Sequence, residues 1–168
     1  MQIKIGLIRN LPHIRSSVEL LVIIMIKEIT IRDFFSFRGE HTIKLNSGVN
    51  LLLGVNGSGK TSFLNAITVL YEGIVGNGLS DLFRQWGSYA SIVNACGEDR
   101  PDCFSLSYVF DATELKKLVP SSPFQYDVHY KITVFPLGNG SNYSLCETLY
   151  SQDNRSKKKS FSYLEFRG

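Results

Sequence analysis

The sequence lacks the features that would place it in a specialised class of protein. Its cysteines are few, odd in number and without a CxxC pair: Cys96, Cys103 and Cys146. Neither a disulfide framework nor a zinc site is therefore indicated, and three reduced thiols suit the cytoplasmic location that we expect. The formal net charge of +3 is too small to predict a nucleic-acid surface without a clustered basic patch.

The sequence also lacks an apolar run long enough to cross a membrane. Its one long run, Leu20 to Ile26, has seven residues, whereas a transmembrane helix needs about twenty. No small-residue cleavage site follows this run before Lys27, so a signal peptide is not favoured either. We therefore expect no membrane partner.

What remains is the composition of an ordinary globular domain. The chain has 168 residues, 43% of them hydrophobic and 20% charged, which suits one domain or part of one. Met25 stands directly before a clear strand pattern. Residues 1–24 are therefore either translated upstream sequence without a structural role or a genuine extra segment, and 25–168 are expected to form the folded unit.

Alternating apolar residues predict a mainly antiparallel sheet. Ile29 and Ile31 alternate with polar residues, and so do Ile43 and Leu45, which predicts a hairpin of two half-buried strands. Val49 to Leu53 is nearly continuously apolar, so we predict a core strand there, buried on both faces. Short helices and further strands are predicted at 81–86, 104–110, 113–118, 126–135, 143–149 and 161–166.

The strongest signal is a glycine-rich loop directly after this apolar run. Residues 54–61 read Gly-Val-Asn-Gly-Ser-Gly-Lys-Thr and match G-x-x-x-x-G-K-[ST], the pattern of loops that bind nucleoside triphosphates. Glycines let the main chain curl so that amide N–H groups point inward at the start of a helix, whose dipole also favours anions. Helical spacing of Phe63, Ala66 and Ile67 supports that helix, with Gly73 as its stop.

The side chains of the loop have predicted roles toward MgATP. Lys60 is expected to reach the β and γ phosphates, and the Thr61 hydroxyl to complete the shell of Mg²⁺, with Ser62 a less favoured substitute. No N-K-x-D sequence occurs, which disfavours a guanine-specific site. The predicted nucleotide-binding residues are Gly54, Asn56, Gly57, Ser58, Gly59, Lys60, Thr61 and Ser62.

The residues around the loop resemble a known family. Residues 29–37 read Ile-Thr-Ile-Arg-Asp-Phe-Phe-Ser-Phe, and 48–50 read Gly-Val-Asn before the glycine loop. This arrangement is similar to the N-terminal lobe of SMC/RecF-type ATPases, which are ABC-class AAA-family proteins. The resemblance is clearest from Met25 to Glu72 and includes Asn56, which some ABC transporters share. It implies an α/β fold in which a P-loop strand and helix join a mainly antiparallel sheet.

The resemblance also implies an activity and partners. Members of this family hydrolyse ATP, act on DNA in repair, recombination, chromosome maintenance or phage defence, and form each ATP site between two heads. An LSGGQ-like signature, a convincing Walker B strand ending in Asp-Glu and a switch histidine are not found in this sequence. We therefore expect the N-terminal part of an ATPase domain, with the C-terminal half absent. Its expected partners are MgATP, a second head in a homodimer, and DNA.

The sequence leaves two other functions open. A nucleotide-binding subunit of an ABC transporter would share Asn56 and the Phe-Ser-Phe segment before the loop. A degenerate remnant would keep the motif and bind nothing useful. Hydrolysis by this chain alone is not expected, because the groups that position the attacking water are missing from the sequence.

Two single residues outside the loop are weaker candidates for the site. Asp111, at the end of Tyr108-Val109-Phe110, is a candidate Walker B aspartate, but the alternation of this stretch favours a half-exposed antiparallel strand. Ala112 also stands where a catalytic Glu belongs. Gln85 is a candidate Q-loop glutamine and is more simply a surface residue.

The remaining candidates also have simpler explanations. Three aromatics beside a strand, Phe34, Phe35 and Phe37, are candidates for stacking on adenine but favour a core role, and Arg38 is a weak candidate for a phosphate or base contact. The histidines lack metal-ligand spacing, and a basic cluster near the C-terminus favours a solvated turn over a DNA contact. These residues are His13, His41, His129, Arg155, Lys157, Lys158 and Lys159.

Overall fold

A computed structural model gives the fold of most of the chain. It describes residues 25–75, 78–87, 89–94, 101–122, 124–137, 142–152 and 160–167, with the main chain alone at 73–75, 90 and 160–167. Residues 1–24, for which the sequence left two alternatives, lie outside these ranges. The basic cluster at 155–159 and Cys96 also lie outside them.

Six strands form one antiparallel sheet in the order β2-β1-β3-β4-β5-β6. Tight pairing of β1 with β2 confirms the predicted hairpin, and the pairing of β4 with β5 confirms that the two later alternating stretches are partners. The strands are β1 (Ile26–Phe34), β2 (Phe37–Lys44), β3 (Phe104–Phe110), β4 (Val128–Leu137), β5 (Asn142–Gln152) and β6 (Ser160–Arg167).

The helices are short and lie between the strands in sequence. The two helices predicted near 81–86 and 113–118 are confirmed. Helical hydrogen bonding continues through Gly73, where the sequence predicted a stop, because Val69 and Leu70 are buried and carry the chain on as a π-helical turn to Val75. The helices are α1 (Lys60–Thr68), the π-helical turn (Val69–Val75), α2 (Leu79–Trp86), α3 (Tyr89–Ile92) and α4 (Ala112–Leu118).

One face of the sheet forms the core with α1 and α2. Ile31 of β1, Leu106 of β3 and Ile132 of β4 are fully buried there, together with Ala66 of α1. The hydroxyl of Tyr108 donates to the Ala66 carbonyl oxygen at 2.6 Å, so the sheet fixes α1 by a buried hydrogen bond as well as by packing. This contact places the start of α1, and therefore the glycine loop, relative to the sheet.

The predicted core strand over Val49–Leu53 is wrong in this structure. No strand in the described part of the chain pairs with this segment, and Leu51 and Leu53 are 69% and 78% exposed. Only Leu52 packs against the core, so the segment keeps the alternation of a strand with one face turned outward. The prediction fails because burial on both faces needs a second covering layer, and no described element supplies one.

The architecture is therefore α/β, with an antiparallel sheet and few helices. Among the described residues, no helix has the length and apolar character needed to cross a membrane.

Candidate functional site

The glycine loop leaves the extended segment and turns directly into α1. The Ser58 amide donates to the Val55 oxygen at 3.2 Å, which closes a tight turn. Gly57 and Gly59 have φ angles of 83° and 91°, in the left-handed region that favours glycine. Gly59 is the residue before α1, and its oxygen accepts from the Phe63 amide at 2.9 Å, the first bond of the helix.

The curled loop leaves a row of amides without protein acceptors. Among the described residues, none accepts a hydrogen bond from the N–H groups of Gly57, Gly59, Lys60 or Thr61. Gly59 has no side chain that could cap α1, so the first-turn amides are free for a ligand. Amides grouped in this way at the positive end of a helix dipole form a binding site for an anion such as phosphate.

The ammonium group of Lys60 lies against the main chain of the loop. Its Nζ donates to the Gly54 oxygen at 2.7 Å and to the Val55 oxygen at 2.8 Å, with Ser58 Oγ at 3.4 Å. A Cβ atom at residue 54 would lie 2.3 Å from Ser58 Oγ, so the Ser58 side chain would have to move to admit it. Lys60 therefore places a positive charge inside the loop, where it adds to the attraction of the free amides for anions.

The two hydroxyl residues at the start of α1 have different surroundings. Thr61 is exposed, as a group that contacts a metal ion would need to be. Ser62 is buried, and its Oγ lies 2.7 Å from Ser36 Oγ and accepts from the Ser36 amide at 3.3 Å. The Ser62 hydroxyl therefore contacts the turn between β1 and β2. A role for it at the metal stays a prediction.

The comparisons with known proteins identify the family. A family model described as an AAA domain matches residues 28–165. This chain belongs to the AAA-domain family. Over 51 residues the chain is 41% identical to the DNA double-strand break repair Rad50 ATPase of Archaeoglobus fulgidus, a match that covers 30% of the chain and 6% of that relative. The two matches confirm the resemblance to the N-terminal region of SMC/RecF-type AAA ATPases.

Asp111 of this AAA domain lies far from the loop. The Asp111 amide donates to the Met25 oxygen at the start of β1, whereas Ser36 beside the loop follows the end of β1. At about 3.3 Å per residue, β1 separates the two places by roughly 25 Å. The Asp111 carboxylate caps α4 by accepting from the amides of Thr113 and Glu114 at 2.7 and 3.2 Å. The Walker B hypothesis for Asp111 is therefore wrong.

The remaining candidates take the simpler roles. Gln85 is exposed on α2. Phe34 is fully buried, and Phe35 is half-buried with its ring 5.4 Å from that of Trp86, so both belong to the core. Phe37 is half-buried and lies closer to the loop. Its ring is 3.5 Å from the position that a Cβ atom at Gly59 would occupy.

The described polar side chains do not form a metal centre. No group of three His, Cys, Asp or Glu residues with the arrangement of a metal site occurs in the described part of the chain. His41 contacts the Arg38 oxygen at 2.8 Å, and His129 stacks on Tyr150 with ring centroids 4.8 Å apart. Burial lowers the pKa of His129.

Ser36 contacts Ser62 at the start of α1, and no pattern in the sequence predicted this role. It stands between two phenylalanines in a turn, and its partner Ser62 is 26 positions away. No local spacing rule connects residues at that separation. A serine next to the strand that precedes such a loop gives only a weak signal until the fold brings the two together.

Proposed function

We propose that residues 54–62 bind the triphosphate of MgATP and that the chain is the N-terminal part of an SMC/RecF-like ATPase acting on DNA. The observation that carries the proposal is the curled loop, with the amides of Gly57, Gly59, Lys60 and Thr61 free of described acceptors at the start of α1 and with the Lys60 ammonium group inside the curl. Membership of the AAA-domain family supports the same ligand.

Different residues of the chain contact different parts of the ligand. The amides of Gly57, Gly59 and Lys60 donate to phosphate oxygens, and the Lys60 ammonium neutralises part of their charge. The exposed Thr61 hydroxyl is the group that fits Mg²⁺, an ion that prefers oxygen ligands and keeps most of its waters. Bound Mg²⁺ would supply charge neutralisation between the phosphates. These groups hold the gamma phosphate, and none of them is a nucleophile that attacks it.

The exposed strip beside the loop supports a larger ATPase domain. Leu51, Leu53 and Val55 are 69%, 78% and 80% exposed and share one face of an unpaired extended segment. An unpaired strand of Val and Leu is a template for further strands. We propose that other parts of the ATPase domain cover this face, and that hydrolysis depends on groups from those parts and from a second head.

The DNA assignment rests on the relative and not on a contact in this chain. The relative's name describes a Rad50 ATPase of DNA double-strand break repair, and the match covers 6% of its length. Binding to a DNA backbone should weaken steeply as salt increases. Measuring DNA affinity against salt concentration, with and without MgATP, tests this part of the proposal, and an affinity that salt does not change argues against it.

Titration with a fluorescent ATP analogue in the presence of Mg²⁺ tests the nucleotide proposal. Lys60→Ala removes a charge-assisted contact worth roughly 1.5–3 kcal/mol, so affinity should fall about tenfold or more. Lys116→Ala is the matched control, because Lys116 is exposed on α4 at the opposite end of the sheet. Identical weak signals from wild type and Lys60→Ala would overturn the proposal and favour a degenerate remnant.

The second candidate function is a transporter's nucleotide-binding subunit. It shares the loop and Asn56, so nucleotide titration does not separate it from the first. Copurification with a membrane protein would favour the transporter subunit, whereas DNA binding that weakens with salt would favour the DNA-acting ATPase. The cytoplasmic location stays a prediction.

A further inference from the structure

The turn between β1 and β2 contacts Ser62, just after the phosphate-binding loop, and lies close to Gly59 within it. Ser36 of this turn pairs with Ser62, through a 2.7 Å contact between hydroxyls and a 3.3 Å bond from its own amide. Ser36 Oγ also lies 3.0 Å from the position that a Cβ atom at Gly59 would occupy. Gly59 and Ser62 flank Lys60 and Thr61, so Ser36 lies beside the two residues whose side chains are proposed to bind the ligand.

The turn itself is fixed by hydrogen bonds from other elements. The buried carboxylate of Asp33 accepts from the Gly39 amide at 2.7 Å. The Phe35 amide donates to the Ile92 oxygen at 2.6 Å, and Asn94 Nδ2 donates to the Phe35 oxygen at 2.7 Å. The loop is exposed, whereas the turn is tied to β2, to the last residue of α3 and to Asn94 just after it. The rigid element can therefore impose its geometry on the exposed one.

We propose that Ser36 is a positioning residue that holds Gly59 to Ser62 in the shape that binds phosphate. This inference rests on the proposed function and adds a residue outside the loop to the site. Amides that are already aligned bind an anion more tightly than amides that the ligand must order, because ordering costs conformational entropy. Ser36 acts through Ser62 and does not itself touch the nucleotide.

The test compares Ser36→Ala with a hydroxyl pair of the same hairpin that is remote from the loop. Thr30 Oγ1 and Thr42 Oγ1 lie 2.9 Å apart between β1 and β2. Thr30→Val removes one of these hydroxyls and keeps the shape of the side chain. In titrations with the fluorescent ATP analogue and Mg²⁺, Ser36→Ala should raise the dissociation constant roughly two- to tenfold, as expected for one lost neutral hydrogen bond. Thr30→Val should leave it unchanged.

A double-mutant cycle shows whether Ser36 acts through Ser62. Ser62→Ala removes the other half of the contact and should weaken binding by a similar factor. The double variant should bind no more weakly than Ser62→Ala alone. Partial unfolding would lower the number of binding sites per chain, whereas a positioning role raises the dissociation constant at an unchanged number of sites.

The outcomes separate this inference from the proposed function. A wild-type chain that binds the analogue, together with a Ser36→Ala variant of equal affinity, overturns the positioning role alone. Equal weakening by Ser36→Ala and Thr30→Val also overturns it, because the effect would then come from general loss of stability. A wild-type chain that does not bind the analogue overturns the proposed function and this inference with it.

Discussion

The antiparallel sheet and the extended segment before the glycine loop contain the same kinds of apolar residue, but these residues are buried in the sheet and exposed in the segment. Ile29 and Ile31 in β1 are fully buried, whereas Leu51 and Leu53 are mostly exposed. The difference lies in the partners, since β1 pairs with strands on both sides and the segment pairs with none of the strands that the structure describes. Apolar sequence predicts burial only where the fold supplies a surface to cover it.

The same contrast explains how the loop keeps its shape. The segment is tied at its start by Asn50, whose side chain bonds the main chain of Asn46 at 2.8 and 2.9 Å. The glycine loop that follows the segment is tied at its far end, in α1, by the contact between Ser36 and Ser62. Between these points the structure relies on glycine conformations and on Lys60. Substitutions in the sheet and in the loop should therefore change different properties of the protein.

The largest effect is expected from truncating a side chain in the sheet's core. Phe34 is fully buried, and its ring lies 4.7 Å from Phe35 and 5.1 Å from Phe104. Phe34→Ala should lower the free energy of unfolding by about 3–5 kcal/mol, because it removes apolar contacts and leaves a cavity. Urea denaturation followed by circular dichroism measures this. Phe135→Ala, at a partly exposed position of β4, should cost only a small fraction of that amount.

The next effect is expected inside the loop, on affinity. Gly59→Ala places a side chain at φ 91°, 3.0 Å from Ser36 Oγ, whereas Gly57→Ala at φ 83° meets no atom within 4 Å. A left-handed conformation costs an L-residue roughly 1–2 kcal/mol. Both variants should therefore bind the fluorescent ATP analogue about tenfold more weakly, and Gly59→Ala should be the weaker of the two. If Gly57→Ala binds more weakly than Gly59→Ala, the contact with Ser36 does not constrain the loop.

These expectations show how far the sequence alone predicts the molecule. Period-two alternation predicted strands such as β4, whose side chains alternate between buried and more exposed positions. The glycine loop was predicted by its motif, which depends on local backbone geometry. The strand predicted over Val49–Leu53 was wrong because no described strand pairs with it. The pair Ser36 and Ser62 was missed because a contact across 26 positions has no spacing rule.

A smaller effect is expected at the far end of the sheet. Asp111 caps α4, so Asp111→Ala should cost about 1 kcal/mol of stability, and Asp111→Asn should cost less because asparagine also caps. Burial alone would raise the pKa of Asp111, but the amides of Glu114 and Thr113 and the charge of Lys27 hold it below its ordinary value.

The sign of the pH dependence follows from this lowered pKa. A carboxylate with a depressed pKa in the folded state contributes stability above its unfolded pKa, and that contribution is lost as the pH falls through the folded value. The difference in unfolding free energy between wild type and Asp111→Ala should therefore be full at pH 7 and shrink below about pH 4. Affinity for the ATP analogue should be unchanged in both variants. A loss of affinity in Asp111→Asn would restore Asp111 as a candidate for the nucleotide site.

The smallest effect is expected on the exposed face of the segment. Leu53 is 78% exposed, so Leu53→Ser should change the free energy of unfolding by no more than about 0.5 kcal/mol. Leu52→Ser is the matched control. The Leu52 side chain is half-buried against the core, so Leu52→Ser should lower the free energy of unfolding by a clearly larger amount. Leu53→Ser should also reduce self-association at high protein concentration, because it removes part of an exposed apolar strip. A loss of 2 kcal/mol or more at Leu53 would mean that this face is covered in solution, and the contrast between the sheet and the segment would disappear.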